Sequence, residues 1–523
     1  MDYLVHHMLQ TSAERLAEKE AVVHGAERLT YRDLADRVEA LAAALRDAGI
    51  QRGDRVGIYV EASVPQVIAI FAVSRAGGVF VPINSELFPD QVSHIIRDCG
   101  MKALITSGSR TADLAAALAS ISTLEFVVAV GTALPAGLQK PVYSYEGLLQ
   151  AEPDPGRPDA AISKDLAAIL YTSGSTGKPK GVMLSHANVM AGATIVSTYL
   201  DITEQERILA ALPFSFDAGL NQLTTAIQQG GTIVLIKFMF GREVVQKLIE
   251  EKITGLAGVP TLWSLLAQPN SGLHKHTLTG LRYITNTGGA MPQAVLKVLR
   301  QLLPSTKVFL MYGLTEAFRS TYLPPEELDR RPTSMGKAIP DTEILVINEH
   351  GQECKAGEIG ELVHRGPTVS MGYWGNPEAT AKVLRCNPLA PAQLGDQERV
   401  CYSGDLVKKD EDGFLYYVGR RDTMIKCSGH RISPTEVEEV LFQSGQVRQA
   451  AVIGVPDEVM GQAIKAFVVA RDGSPLEVPR LLEYCGERVP RYMVPRRVDV
   501  LDELPKTTSG KVDYPALRRR EGL

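Results

Sequence analysis

Cysteine is scarce and unpaired in its spacing. The chain has six in 523 residues, Cys99, Cys354, Cys386, Cys401, Cys427 and Cys485, a scatter that suits a reducing compartment and excludes a structural zinc site. Positive charge is not in excess either: 55 Lys and Arg stand against 60 Asp and Glu, a formal net charge of −5. No nucleic-acid footprint follows from that balance. Long apolar runs are missing. The longest, residues 67–83, is broken by Ser74, Arg75, Gly77 and Gly78, too short and too polar to cross a bilayer. The first ten residues hold two histidines and an aspartate and lack a basic flank followed by an apolar stretch, so no signal peptide is visible. There is no internal repeat or low-complexity tract. The expectation is a cytoplasmic protein with no membrane span and no nucleic-acid partner.

The chain does have length. At 523 residues it exceeds what one hydrophobic core supports, so two or more domains are expected. A hydrophobic content of 45% with 22% charged residues is ordinary for a globular protein.

Residues 3–130 alternate helical and strand patterns: a helix after 29–34 ending near Gly49, a β-type run at 55–60, a helix at 64–76, a strand at 78–82, a helix up to Cys99 and a strand at 103–106. That alternation predicts parallel sheet. Residues 135–158, rich in Pro, Gly and acid, read as a surface connection. From Asp165 the alternation resumes, with strands at 166–170, 208–212, 232–236, 255–259, 281–285 and 307–310. Ligands in such sheets lie beyond the carboxyl ends of the strands, which places 171–182, 213–217, 286–289 and 312–316 around one crevice. Short alternating runs over 335–418 fit a small β-barrel. After Gly419 a second, α+β domain begins. Ser433 to Glu436 reads as a capping box with Pro434 at the first helical position, and a glycine-containing loop carries Lys511 near the end.

Residues 171–182 read Tyr-Thr-Ser-Gly-Ser-Thr-Gly-Lys-Pro-Lys-Gly-Val, between an apolar strand and a helix at 185–199. Gly174, Gly177 and Gly181 allow positive φ and close approach of backbone N–H groups to an anion. Thr172, Ser173, Ser175 and Thr176 add hydroxyl donors, and Lys178 and Lys180, held apart by Pro179, add charge. A triphosphate fits such a loop. The P-loop pattern does not apply: Thr172 stands where it needs Gly, and Pro179 where it needs Ser or Thr.

Together with 312–316 (Tyr-Gly-Leu-Thr-Glu), 360–380, 402–405 (Tyr-Ser-Gly-Asp), 419–431 and 505–511 (Pro-Lys-Thr-Thr-Ser-Gly-Lys), this stretch resembles, in order, the motifs of the adenylate-forming superfamily. That superfamily contains acyl-CoA synthetases, peptide-synthetase adenylation domains and beetle luciferases. The resemblance covers nearly the whole chain. It implies an α/β fold: a large N-terminal domain, 1–419, of two doubly wound sheets plus a small β-barrel, and a small mobile α+β C-terminal domain, 420–523.

It also implies roles. Thr172, Ser173, Gly174, Ser175, Thr176, Gly177 and Lys180 would hold the phosphates of ATP, with Gly288, Gly289, Tyr312 and Gly313 completing the nucleotide site. Thr315 would contact the α-phosphate, and Glu316, with Thr176, would bind Mg²⁺. Asp405, assisted by Arg420, would take the ribose hydroxyls. Lys511 would bridge the substrate carboxylate and the phosphoryl oxygen. For the second half-reaction the small domain would swing about Asp422, and 428–431, with Gly429 and Arg431, would open a path for a pantetheine thiol.

The acid is less defined. By analogy the pocket would hold Phe216, Asp217, Asn221, Thr285, Thr287, Met311, Arg319 and Ser320, with Trp263 beside them, a small and partly polar cavity unsuited to long alkyl chains. A buried aspartate wants a cation. A substrate amine would serve Asp217, and so would Arg319 from within the protein. Residues 212–221 and 311–340 look like acyl-CoA ligases associated with bacterial exosortase A clusters; standalone aminoacyl carrier-protein ligases look similar. No carrier domain follows Lys511, so the acceptor, CoA or a phosphopantetheine carrier protein, would come in trans. Three readings stand: an AMP-forming ligase of a small carboxylic acid and CoA, an amino-acid adenylating enzyme loading a carrier protein, and a luciferase-like adenylating protein that makes no thioester.

Overall fold

In this computed structural model the described residues are 2–131, 138–173, 179–421, 423–427, 430–457, 460–471, 476–507 and 510–523. They fall into two compact units, one made of Met1–Gly174, Pro179–Glu343 and His364–Arg385, the other including Ile344–Val363 and Cys386–Leu523.

The first unit is built on two twisted sheets. One has seven strands in the order Val142–Ser144, Phe126–Val130, Ala103–Ser107, Arg55–Tyr59, Val79–Pro82, Leu166–Ser173 and Pro179–Ser185. All its pairs are parallel except the last, a hairpin. The other has nine strands: Lys337–Ala338, Ala317–Leu323, Lys307–Leu314, Tyr283–Asn286, Gly255–Gly258, Arg207–Ala210, Thr232–Leu235, Glu20–His24 and Glu27–Thr30. It is parallel through its centre and antiparallel at both margins. The expected surface connection therefore contributes structure of its own. Val142–Ser144 adds an edge strand because its β-forming residues can pair with Phe126–Val130, the Tyr143 ring meeting Phe126 edge-on at 5.4 Å.

One apolar core joins the inner faces of both sheets to the helices Val5–Leu16, Tyr31–Asp47, Val64–Arg75, His186–Tyr199 and Asp217–Gln229. Val64–Arg75 is apolar nearly all round and buries eleven of its twelve residues, as a helix with no solvated face must. Its polar end is satisfied internally. Arg75 pairs with Glu39 at 2.8 Å and Asp159 at 2.9 Å, and Ser74 meets His6 at 3.0 Å. His6 and His7 each reach Asp159 at 2.8 Å. Hydrogen bonding from His6 leads the causes that hold the Asp159 carboxyl well below its usual range, and burial lowers His6.

The barrel segment, most of it in the second unit, is a five-stranded sheet, Glu343–Ile347, Ile359–Arg365, Arg399–Lys409 and Leu384–Cys386 in order, with Leu415–Arg420 beside Arg399–Lys409. The α+β part orders His430–Ile432, Ile425–Cys427, Gly461–Ala470 and Val447–Asp457, with Arg497–Val500 parallel to Gly461–Ala470. The helix Pro434–Gln443 begins where the sequence places it, with Ser433 as N-cap, but without the expected capping box. The Ser433 hydroxyl is buried, packs toward Gly419 and makes no cap hydrogen bond. Burial has won over capping there.

One residue of that helix makes stability depend on pH. Glu438 is buried and accepts from Val452 N at 2.8 Å and the Tyr514 hydroxyl at 2.7 Å. Burial nevertheless pushes its pKa up from 4.5 to about 7. The folded protein therefore takes up a proton between those values that the unfolded chain lacks, so stability falls as pH rises from 4.5 to 7. The cost is on the order of 3 kcal/mol above pH 7. Glu438→Gln keeps both acceptor contacts and is expected to raise the melting temperature at pH 8 but hardly at pH 5. Equal shifts at both pH values would contradict this assignment.

Candidate active site

The polar stretch 171–182 is the end of a β-hairpin rather than a loop leading into a helix. Tyr171 pairs with Gly181, Thr172 with Lys180 and Ser173 with Pro179. Cross-strand pairing satisfies the backbone groups of a polar segment as fully as those of an apolar one, so the strands run on past the apolar residues. Gly174, Ser175, Thr176, Gly177 and Lys178 lie outside the described residues, as does the Ser173 side chain. Gly181 differs from expectation, since it is not among the positive-φ glycines. A Cβ there would stand 2.6 Å from Ile169 and 3.1 Å from the Tyr171 ring, so the missing side chain makes room for that ring.

Thr172 and Lys180 lie opposite one another, and the Lys180 ammonium sits 5.4 Å from the centre of the Tyr373 ring. Tyr373 bridges to Val182 through its backbone and donates its hydroxyl to the Glu316 carboxylate. One aromatic ring thus connects the cation of this hairpin with the carboxylate at the tip of another.

That second hairpin pairs Lys307–Leu314 with Ala317–Leu323. Leu314 lies opposite Ala317, which leaves Thr315 and Glu316 as the turn. Residues 368–370 brace it through Phe318 N to Thr368 O at 3.2 Å and Ser370 N to Glu316 O at 2.8 Å. Glu316 is half-buried and has no cation partner among the described residues. A carboxylate with one hydroxyl donor and no protein cation fits a divalent ion. Gly313 is the narrow point: a Cβ there would lie 2.6 Å from Arg319 N and 3.0 Å from Arg319 Cα.

On the adjoining strand, Gly288 takes φ 77°, and the Gly289 carbonyl accepts from Asn286 Nδ2 at 2.8 Å. The Tyr312 ring stacks on His364, with centroids 6.0 Å apart and planes at 11°. His364 is buried with neither ring nitrogen partnered, and burial drives its pKa down to about 3. The ring behind Tyr312 is therefore neutral.

In the second unit Asp405 and Arg420 come together as expected. They are cross-strand neighbours and form an ion pair at 3.4 Å. Beside them is a pair that sequence reasoning missed. Buried Glu361 accepts from Gly404 N at 3.1 Å and pairs with Arg421 at 3.0 Å. Lys511 is exposed and closes a tight turn in which Thr507 N donates to its carbonyl at 2.7 Å and Gly510 takes φ 77°. Asp422 and Gly429 lie outside the described residues. Arg431 pairs with Lys426 through the backbone, and its side chain is not described.

The residues expected to line the pocket sit where the nine-stranded sheet meets the helix Asp217–Gln229. Phe216 is the N-cap and Asp217 the first helical residue. Asn221, Thr285, Thr287, Met311, Arg319, Ser320 and Trp263 are buried. Two expectations change. Asp217 is only half-buried and is the first residue of its helix, so it needs a cation less than a fully buried carboxylate would. Arg319 does not neutralise it. The guanidinium lies 3.0 Å from Met311 Sδ, and no Asp217–Arg319 ion pair occurs among the described residues. Gly219 was also missed. A Cβ there would lie 1.9 Å from Pro213 O, and a glycine inside a helical pattern was the available signal.

Two doubly wound sheets, a lysine-bearing hairpin and a Thr-Glu turn held beside it define an adenylate-forming enzyme. The chain belongs to the AMP-binding enzyme family: the family's profile matches residues 9–374, and that of its C-terminal domain residues 436–511. A feruloyl-CoA synthase from Amycolatopsis sp is 35% identical over 511 residues, covering 96% of each chain. The anthranilate CoA ligase AuaEII, solved in complex with anthranoyl-AMP, matches with a TM-score of 0.89 at 27% identity over 99% of this chain and 97% of its own. MatB from Rhodopseudomonas palustris, solved with ATP bound, gives a TM-score of 0.88 at 28% identity over 99% of both. The protein is an AMP-forming acid–thiol ligase dependent on ATP. Among the described residues no helix is long and apolar enough to cross a membrane.

Gly313→Ala forces a methyl group against the Arg319 backbone and is expected to lower unfolding free energy by about 1–3 kcal/mol. Gly147→Ala, where the nearest atom would be an ordinary 3.6 Å away in a helix, should be neutral or slightly stabilising. Urea unfolding of both variants checks this, and equal stability for the two would contradict the packing argument.

Proposed function

We propose that the protein activates a small carboxylic acid as its acyl-adenylate and passes the acyl group to the thiol of CoA. The observation that carries the site assignment is the junction at Tyr373, which gathers Lys180 and Glu316 from separate hairpins. The first step needs such a junction, because a carboxylate must approach a triphosphate and both are anions. Fixed cations and amide donors offset that repulsion where water is excluded. In this reading Thr172, Ser173 and Lys180 hold the β- and γ-phosphates together with residues 174–177. Thr315 donates to the α-phosphate. Glu316, with Thr176, would hold a Mg²⁺ ion, which would supply charge to screen the phosphates. Gly288, Gly289, Tyr312 and Gly313 line the nucleotide site, and Asp405 accepts from the ribose hydroxyls with Arg420 paired beside it.

Lys511 supplies the remaining positive charge between carboxylate and α-phosphate. The thiol must then approach from the side that Lys511 occupies, so the lobe 420–523 turns about Asp422 and brings 428–431 forward in its place. In this reading Gly429 would leave width for pantetheine, and Arg431 would serve the same path. The six free cysteines, five of them buried, suit a reducing cytoplasm.

Asp217 favours a second reading. Its half-buried carboxylate has no cation partner among the described residues, and a substrate ammonium would complete it. The enzyme would then load an amino acid onto a carrier protein. Pyrophosphate exchange over a panel of amino and simple carboxylic acids separates the two readings, and CoA-dependent AMP release identifies the acceptor.

Lys511→Ala is expected to reduce adenylation by about 100-fold or more while sparing thioester formation from supplied acyl-adenylate. Equal loss of both half-reactions would contradict the two-orientation mechanism.

A further inference from the structure

Arg319 is a buried charge without a counter-charge among the described residues. It is 4% exposed, its Nε has no hydrogen-bond partner, and its recorded contacts among the described residues are the Met311 thioether at 3.0 Å and the Phe318 ring at 5.6 Å. A thioether is a weak acceptor, and a guanidinium cannot escape by losing its proton. Burying such an ion without an anion is among the least favourable arrangements a protein can hold.

The backbone has been bent to put it there. Between Tyr312 and Leu314 the hairpin has one residue, Gly313. On the facing strand, between Thr321 and Ala317, it has three, Phe318, Arg319 and Ser320. Such a bulge re-aims a side chain, and Arg319 pays for it with φ 51°, a region that non-glycine residues rarely occupy. The guanidinium lies over the sheet face that carries Met311 and, by register, Phe309 and Thr285. The Thr285 hydroxyl on that face is also buried and unpartnered. Tyr199 and Tyr283 have phenols raised by burial and drawn back down by the Arg319 charge, which places them around the same point. Asp217 forms no ion pair with Arg319 among the described residues.

We propose that Arg319 receives a second carboxylate at the far end of the acyl substrate, so that the acid activated is a dicarboxylic acid. This rests on the ligase reading above and narrows its substrate class. The second carboxylate supplies the missing counter-charge, and an acid with a neutral tail leaves the guanidinium buried and unpaired. Discrimination is then strong, because it is set by the penalty of leaving Arg319 unpaired rather than by fit alone.

The test is AMP release at saturating ATP and CoA with succinate, glutarate, adipate and terephthalate, each compared with its monomethyl ester. At least one dicarboxylate is expected to exceed its half-ester in kcat/KM by about 100-fold or more. Arg319→Met should lower that dicarboxylate toward its half-ester, and Arg319→Lys should retain part of the preference. The comparison in the unaltered protein does not depend on either variant folding. Half-esters or other neutral acids turned over as well as the dicarboxylates would overturn the inference and leave the ligase reading intact. AMP release with no acid at all would count against the ligase reading itself, and against this inference with it.

Discussion

Gly313 has no side chain, and the hairpin between Lys307–Leu314 and Ala317–Leu323 closes only because of that. On one side of the glycine the chain turns through Thr315 and Glu316. On the other, the bulge swings Arg319 inward with its backbone nitrogen where a Cβ would stand. In the proposed reading, the end of the site that would meet the phosphates and the end that would select the acid share one short piece of β-structure. Neither can move far without the other, since residues 368–370 fix the turn by backbone hydrogen bonds.

Charge is distributed around this hairpin with some economy. Lys180 stands over Tyr373, whose hydroxyl is committed to Glu316. Behind Tyr312 the imidazole of His364 is kept neutral by burial, which leaves an aromatic wall without a positive charge. In the second unit, Asp405 and Glu361 each face an arginine.

Much of this was legible in the sequence because apolar runs of strand length and helices with clear stops leave periodic traces. Val64–Arg75, Tyr31–Asp47 and the parallel strands fall close to where the pattern puts them. The strands 171–173 and 179–182 left no such trace, since their pairing is made by backbone and most of their side chains are polar or absent. The capping box at Ser433 failed for a related reason: its sequence signature is local, while the burial of that hydroxyl against Gly419 is not. Sequence reasoning placed Arg319 in the pocket but left it open whether Arg319 or a substrate amine partners Asp217, because spacing along the chain carries no information about a bulge. The Glu361–Arg421 pair, sixty residues apart, and the docking of Glu20–His24 beside Thr232–Leu235 are set by tertiary packing alone.

The central claim is that a substrate carboxylate oxygen bonds to the α-phosphorus of ATP in this site. An acid labelled with ¹⁸O in its carboxylate tests it directly. When the thiol attacks the carbonyl carbon, the oxygen bonded to phosphorus departs with AMP, so each thioester formed should leave one labelled oxygen in AMP. AMP free of label, with all of it kept in the acyl product or found in pyrophosphate, would contradict the account.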